Sequence, residues 1–216
     1  MEKYTTSARW YDLISAEPVY RAGRQVAIPA MGLRPGDRVL DVGCGTGLNL
    51  PGLAAAVGAD GLVLGLDRSG DMLDVARGKA ERRGLGQAAF LEVDVMRLSR
   101  ADLARSGSGT SAASERGFDG AIFTYALSLM PDPTEAWRRV RGLLREGAAV
   151  AVVDMQPPTG LATLTSPLAH LACRLGGADI HARPWEAVER DLTGVRAWSR
   201  RGGHVQVRVG ALARRD

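Results

Sequence analysis

Apolar and polar positions along this chain alternate between two periods. Short β-branched or apolar runs are separated by longer stretches in which apolar residues recur every three or four positions. RVLDVG (38–43), LVLGLD (62–67), AAFLEVD (88–94), FDGAIFTY (118–125) and AAVAVVDM (148–155) read as five strands. Between them, LNLPGLAAAVG (48–58), SGDMLDVARGKAERRG (69–84) and DPTEAWRRVRGLLREG (132–147) read as crossover helices, the last two opened by Ser69 and Asp132 as N-caps. Strand and helix in turn predict a mostly parallel sheet with helices on both faces. VRAWSRR (195–201) and HVQVRVGAL (204–212), joined through Gly202 and Gly203, read as an antiparallel hairpin at the sheet edge.

The segment ARWYDLISAEPVYRAGRQVAIPAMGL (8–33) reads as one or two amphipathic helices broken near Pro18 and Pro29, able to lie over a ligand site. Residues 104–117 are rich in Ser, Gly and Ala and read as a surface loop. At 216 residues, 45% of them hydrophobic, the chain is expected to form one domain. Its parts are an N-terminal helical lid (1–34), a cofactor-binding core (35–155), an acceptor-side cap (156–193) and the edge hairpin (194–213).

Composition changes this picture little. The net charge of +4 comes largely from arginine, with Arg200, Arg201, Arg208, Arg214 and Arg215 near the C-terminus, so an anionic partner is conceivable. Cys44 and Cys173 lie far apart, and a cross-link at Cys44 would block its glycine-rich turn; two free thiols in a reducing cytosol are expected. No long apolar segment or leader pattern is visible, so the chain is expected to be cytoplasmic. His170, His181 and His204 have no metal-ligand spacing, and no metal is expected.

The chemistry begins at VLDVGCGTG (39–47), a strand running into Gly43, Gly45 and Gly47. A dinucleotide fingerprint would place Gly or Ala where Leu48 stands, so the pattern is GxGxG and argues against NAD. Asp41 precedes the first glycine and suits a cationic amino-acid moiety better than a phosphate. Asp67, twenty residues past Gly47, closes the second strand, where a carboxylate accepts hydrogen bonds from ribose hydroxyls. Asp94 closes the third; with Val95, Met96, Arg68 and Met72 it can supply an acceptor and apolar faces for adenine. Three carboxylates on successive strand ends beside one glycine loop describe a cradle for an adenosyl cation.

These residues, with FDGAIFTYALSLMPD (118–132), resemble the class I S-adenosylmethionine-dependent methyltransferases across about residues 35–155. The resemblance implies a Rossmann-like fold with a seven-stranded, mostly parallel sheet. It implies S-adenosylmethionine as cofactor and S-adenosylhomocysteine as product, with Gly43, Gly45 and Gly47 at the amino-acid end, Asp67 at ribose and Asp94 at adenine. Cys44 and Thr124 complete the expected cofactor contacts. YDLISAEPVYRAGR, TYALSLMPDP, ADIHARPWEAVERDL and GGHVQVRVGA are similar to bacterial enzymes that N-methylate phosphatidylethanolamine or a betaine-lipid head group, with ubiquinone and menaquinone methyltransferases as more distant relatives.

The acceptor edge is expected after the fourth strand, at TYALS. Tyr125 and Tyr11 are the catalytic candidates, and Tyr20, Ser128, Asp154 and His181 the substrate-binding ones. In-line transfer from a sulfonium asks the protein mainly for alignment and exclusion of water. The leading expectation is a small-molecule or lipid head-group acceptor, such as an amine nitrogen, with peripheral contact to the inner membrane face. The alternatives are O- or C-methylation of a quinone or secondary metabolite, another transfer or cyclisation using the same cofactor, and a cofactor-binding regulator without turnover. No aromatic-proline tetrad follows the fourth strand, so nucleic acid is not an expected substrate.

Overall fold

A computed structural model of the chain describes residues 17–105, 116–160, 163 and 180–214. The elements in order are α1 (Glu17–Met31), β1 (Arg38–Val42), α2 (Leu50–Val57), β2 (Leu62–Asp67), α3 (Gly70–Arg82), β3 (Ala88–Glu92), α4 (Arg100–Arg105) and β4 (Phe118–Thr124). After these come α5 (Pro133–Arg141), β5 (Leu144–Met155), α6 (Trp185–Glu189), β6 (Leu192–Arg200) and β7 (Val205–Leu212), with short 3-10 turns at Val95–Arg97 and Leu127–Leu129.

The strands form one seven-stranded sheet in the order β3-β2-β1-β4-β5-β7-β6. The first five pair in parallel, whereas β7 runs antiparallel to both β5 and β6. Thus β6, at the edge, points the same way as β1 to β5, and β7 is the reversed strand. Strand order turns around between β1 and β4, and an open α/β sheet leaves its ligand crevice at the carboxyl ends flanking such a point.

Alternation along the strands divides the core. Leu40, Val42, Leu64, Leu66, Phe123, Val150 and Val152 pack with Trp137 and Val140 of α5 and Trp185 and Val188 of α6. On the opposite face, Val39, Val63, Ile122, Ala151, Val153 and Val205 pack with Ala27 and Met31 of α1, with α2, and with Ala76 and Ala80 of α3. Phe123 meets Trp137 edge to face at 6.3 Å between ring centroids and 71° between planes, the arrangement that ring quadrupoles favour.

Several element limits differ from the sequence pattern. The chain does not break at Pro29: α1 continues to Met31 with Pro29 in its last turn, and exits through Gly32 at φ 63°. Pro18 is the second described residue of α1. α5 stops at Arg141, and LREG joins β5 instead, because Leu144 pairs with Phe118 across a register shift that Gly147, at φ 71°, accommodates. β3 ends at Glu92 and β4 at Thr124, while β6 begins at Leu192. α4 falls in a stretch where the apolar pattern had shown no helix.

Candidate functional site

The three glycines of the loop after β1 do different work. A Cβ on Gly43, at φ 69°, would stand 2.6 Å from Ala126 Cβ, so this glycine lets the loop press against the turn after β4. On Gly47, at φ 77°, it would strike Leu50 Cδ1 at 2.5 Å, at the entry to α2. Gly45, at φ 53°, meets nothing within 4 Å: it needs glycine for its backbone and leaves open space above. That opening is where a ligand can approach the backbone.

Asp67 ties this loop down. Its Oδ2 accepts the Gly45 N–H at 2.8 Å and its Oδ1 accepts the Ser69 N–H at 3.0 Å. Each carboxylate oxygen has a second lone-pair direction, so the group can hold the loop and still accept ribose hydroxyls. Ser69 caps α3 by accepting from Met72 N at 3.4 Å, which sets Met72 in the helix's first turn. Asp94 is exposed two residues beyond β3, caps the Val95–Arg97 turn through Met96 N at 3.0 Å, and keeps its other oxygen open. Arg68 is exposed and Val95 is buried in the core, beneath the surface where an adenine face was expected.

Asp41 is buried at 0% exposure. Its Oδ1 accepts from Asn49 Nδ2 at 2.7 Å, and the same amide donates to Thr124 Oγ1 at 2.9 Å. Burial raises the Asp41 carboxyl to about 7 against the pull of the Asn49 hydrogen bond and the Arg24 charge, with Asp67 adding a smaller upward push. Asp41 Oδ2 and Asn49 Oδ1 are buried acceptors without a hydrogen-bond partner. Two unsatisfied acceptors close to a glycine loop suit a cationic ammonium, such as the one at the amino-acid end of S-adenosylmethionine. Cys44 is buried in the loop, its thiol pushed well up by desolvation and by the Asp41 and Asp67 charges, so it acts as a small packing residue.

Asn49 and Arg24 were not found from sequence. Asn49 stands out in retrospect as the polar residue in the apolar run LNLPGL; Arg24, 7% exposed, is the cation on the inward side of α1.

On the acceptor side Tyr125 has φ 55°, an uncommon conformation for a residue with a side chain, and its N–H bonds to Val153 O at 2.7 Å. A Cβ on Gly23 of α1 would lie 2.7 Å from the Tyr125 hydroxyl, so this glycine lets α1 close against the ring. Asp154 is also buried, and its carboxyl is raised to about 6 by desolvation against hydrogen bonds from Ser128 and Met155. Its Oδ1 accepts from Ser128 Oγ at 2.7 Å and Met155 N at 2.9 Å, and its Oδ2 from Ser128 N at 3.1 Å. Ser128 and Asp154 thus clasp each other. His181 is exposed, and His204 is buried with Nδ1 2.7 Å from Gln156 O. Tyr20 lies on α1 by its backbone; Tyr11, His170 and Cys173 fall outside the described residues, as does loop segment 106–115.

The family model for a methyltransferase domain matches residues 33–183, well over half of the chain. The chain belongs to the methyltransferase-domain family. Membership of this family accords with the S-adenosylmethionine cofactor expected from the sequence. The chain is similar to the 2-phytyl-1,4-naphtoquinone methyltransferase of Synechococcus elongatus, 34% identical over 140 residues, which cover 65% of this chain and 55% of that protein. It is also similar to the demethylmenaquinone methyltransferase of Bacillus mycoides, 30% identical over 140 residues covering 65% of this chain and 54% of that one. The chain therefore spans a little over half the length of these relatives. Among solved structures, a SAM-dependent methyltransferase from Aquifex aeolicus shares the fold with a TM-score of 0.65 at 17% identity, over 98% of this chain and 100% of that one.

Proposed function

We propose that this chain methylates a lipid-soluble quinone, at a ring carbon of the reduced naphthoquinone class. The observation that supports this acceptor over an amine head group is the similarity to two quinone methyltransferases. The reduced ring is the nucleophilic partner: loss of a hydroxyl proton to solvent pushes electron density onto the ring carbon, which bonds to the methyl as the bond from methyl to sulfur breaks. The hydrogen on that carbon then leaves as a proton while the oxygen is reprotonated, restoring the aromatic ring.

When bound, the cofactor supplies the electrophilic methyl group. Gly45 and its neighbours leave room for the amino-acid end, Asp41 and Asn49 accept from its ammonium, Asp67 from ribose, and Asp94 from the adenine amine. Tyr125 holds the acceptor ring and its hydroxyl. Ser128 and Asp154 shape the floor beneath it, with His181 as a further acceptor contact. The residues align two reactants and exclude water, a contribution that intramolecular reactions put at about 7–11 kcal/mol of the barrier.

The test is transfer from methyl-labelled S-adenosylmethionine to detergent-solubilised prenylated naphthoquinol, with S-adenosylhomocysteine measured alongside. Labelled quinone and S-adenosylhomocysteine in equal amounts are expected. Label appearing only in phosphatidylethanolamine would overturn the acceptor in favour of N-methylation. Cofactor binding with no release of S-adenosylhomocysteine would leave a regulator.

A further inference from the structure

The carboxyl rim of the sheet, where acceptor must enter, carries an amphipathic surface that the methyl-transfer chemistry does not use. Leu129 is exposed at 40%; the other exposed large hydrophobic among the described residues, Val195, stands toward the opposite end of β6 and is not part of this rim. Leu129 closes the 3-10 turn that follows β4, at the mouth of the acceptor side. Cations stand around the same rim. Arg200 is the last residue of β6, which points the same way as β4, and pairs in register with Val205. Arg201, Gly202 and Gly203 follow in a left-handed turn at φ 53°, 62° and 85°. This turn is fixed to the segment after β5, because Thr159 N donates to Gly202 O at 2.8 Å and Gly203 leaves no room for a Cβ beside Thr159.

Arg21 completes the group from α1. Two residues further on, Gly23 sits against Tyr125, Val153 and Val205, which sets this end of the helix level with Arg200. Arg21, Arg200 and Arg201 are all exposed. Neighbouring arginines are neutralised, Arg183 by Glu186 at 3.3 Å and Arg208 by Glu189 at 2.6 Å, whereas no described carboxylate forms an ion pair with Arg21 or Arg200. The carboxylate nearest to Leu129 along the described turn, Asp132, is engaged by Glu135 N at 2.9 Å.

We infer that this rim docks on an anionic phospholipid surface, with Arg21 and Arg200 meeting lipid phosphates and Leu129 entering the boundary between head groups and acyl chains. The inference rests on the quinone reading, since an acceptor with a long apolar tail resides in the bilayer and must pass from it to Tyr125 without crossing water. Charge complementarity decides between surfaces: cations gather where polar lipid heads are anionic, at about fivefold in partitioning per basic residue near the surface, and a single apolar wedge alone would not select such a membrane.

The full chain is sedimented with vesicles of phosphatidylcholine alone or enriched in phosphatidylglycerol, at low and at physiological salt. Binding to the phosphatidylglycerol vesicles only, weakened by salt, is expected. The paired change Arg21→Glu with Arg200→Glu is expected to lower partitioning at least about 25-fold, from about fivefold for each lost cation, and Leu129→Ser to weaken it further. Heat of cofactor binding, unchanged in these variants, shows that they remain folded. Equal binding to both vesicle types, no binding to either, or undiminished binding by the paired variant overturns the docking surface. Charge-dependent binding without naphthoquinol methylation leaves the surface standing and removes the acceptor reading; methylation in detergent without vesicle binding does the reverse.

Discussion

Single side chains at this site have two duties, and Asp67 shows it best. Its carboxylate already receives two backbone N–H groups, so removing it both frees the Gly45 loop and deletes the expected ribose acceptor. Asp67→Ala is therefore expected to lose cofactor affinity by 100-fold or more, on the order of 3 kcal/mol, as calorimetry would read it, from two charge-assisted bonds of about 1.5–3 kcal/mol each. Affinity within threefold of wild type would remove Asp67 from the cofactor site. Sequence alone shows this residue because an acidic strand end after a glycine loop has a chemical meaning. It cannot show Asn49, whose importance depends on Asp41 and Thr124 meeting its amide across two different strands. It also cannot show that Gly43 and Gly47 answer to packing while Gly45 answers to open space, because all three glycines look alike in GxGxG.

At the scale of elements, the clasp between β5 and the turn after β4 governs how the acceptor edge is held. Ser128 gives both its hydroxyl and its backbone N–H to Asp154, so the Leu127–Leu129 turn is fixed by a side chain buried below it. Ser128→Ala deletes one of these bonds and leaves Asp154 Oδ1 with Met155 N alone. A destabilisation of about 1–3 kcal/mol in chemical unfolding is expected. A loosened turn should also raise KM for the acceptor while leaving cofactor affinity within twofold; an unchanged KM would confine the clasp to stability. The order and type of the elements, α4 excepted, were legible in the spacing of apolar residues, including N-caps at Ser69 and Asp132. Their limits were less so. A terminal-turn proline does not stop α1, and the LREG end of β5 is held by pairing with Phe118 and by Arg145 reaching Asp119 at 2.6 Å, contacts set by the sheet and not by local pattern.

The whole molecule carries a pH dependence that follows from burying two carboxylates near one rim. Asp41 is raised from 3.8 to about 7 and Asp154 from 3.8 to about 6, each chiefly by desolvation. Between those values the folded chain holds protons that the unfolded chain has released, so raising the pH favours unfolding. Stability without cofactor should be greatest near the bottom of that window, fall as pH rises through about 6 and 7, and level off above it. The slope contributed by each group is at most about 1.4 kcal/mol per pH unit. Glu135 shifts the other way, to about 2, because Arg138 and Arg139 bond to it; its stabilisation is present above 4.5 and lost only as pH falls toward 2, so it does not offset the loss. Asp41→Asn should flatten the upper part of the slope. The cofactor reverses the sign locally: an ammonium beside Asp41 favours the ionised carboxylate, so binding expels a proton and tightens as pH rises toward 7. Thermal melts from pH 5 to 8, with and without S-adenosylmethionine, would show the unliganded midpoint falling while the shift on binding grows. A binding shift independent of pH, or one that shrinks, would mean that Asp41 does not face the ammonium.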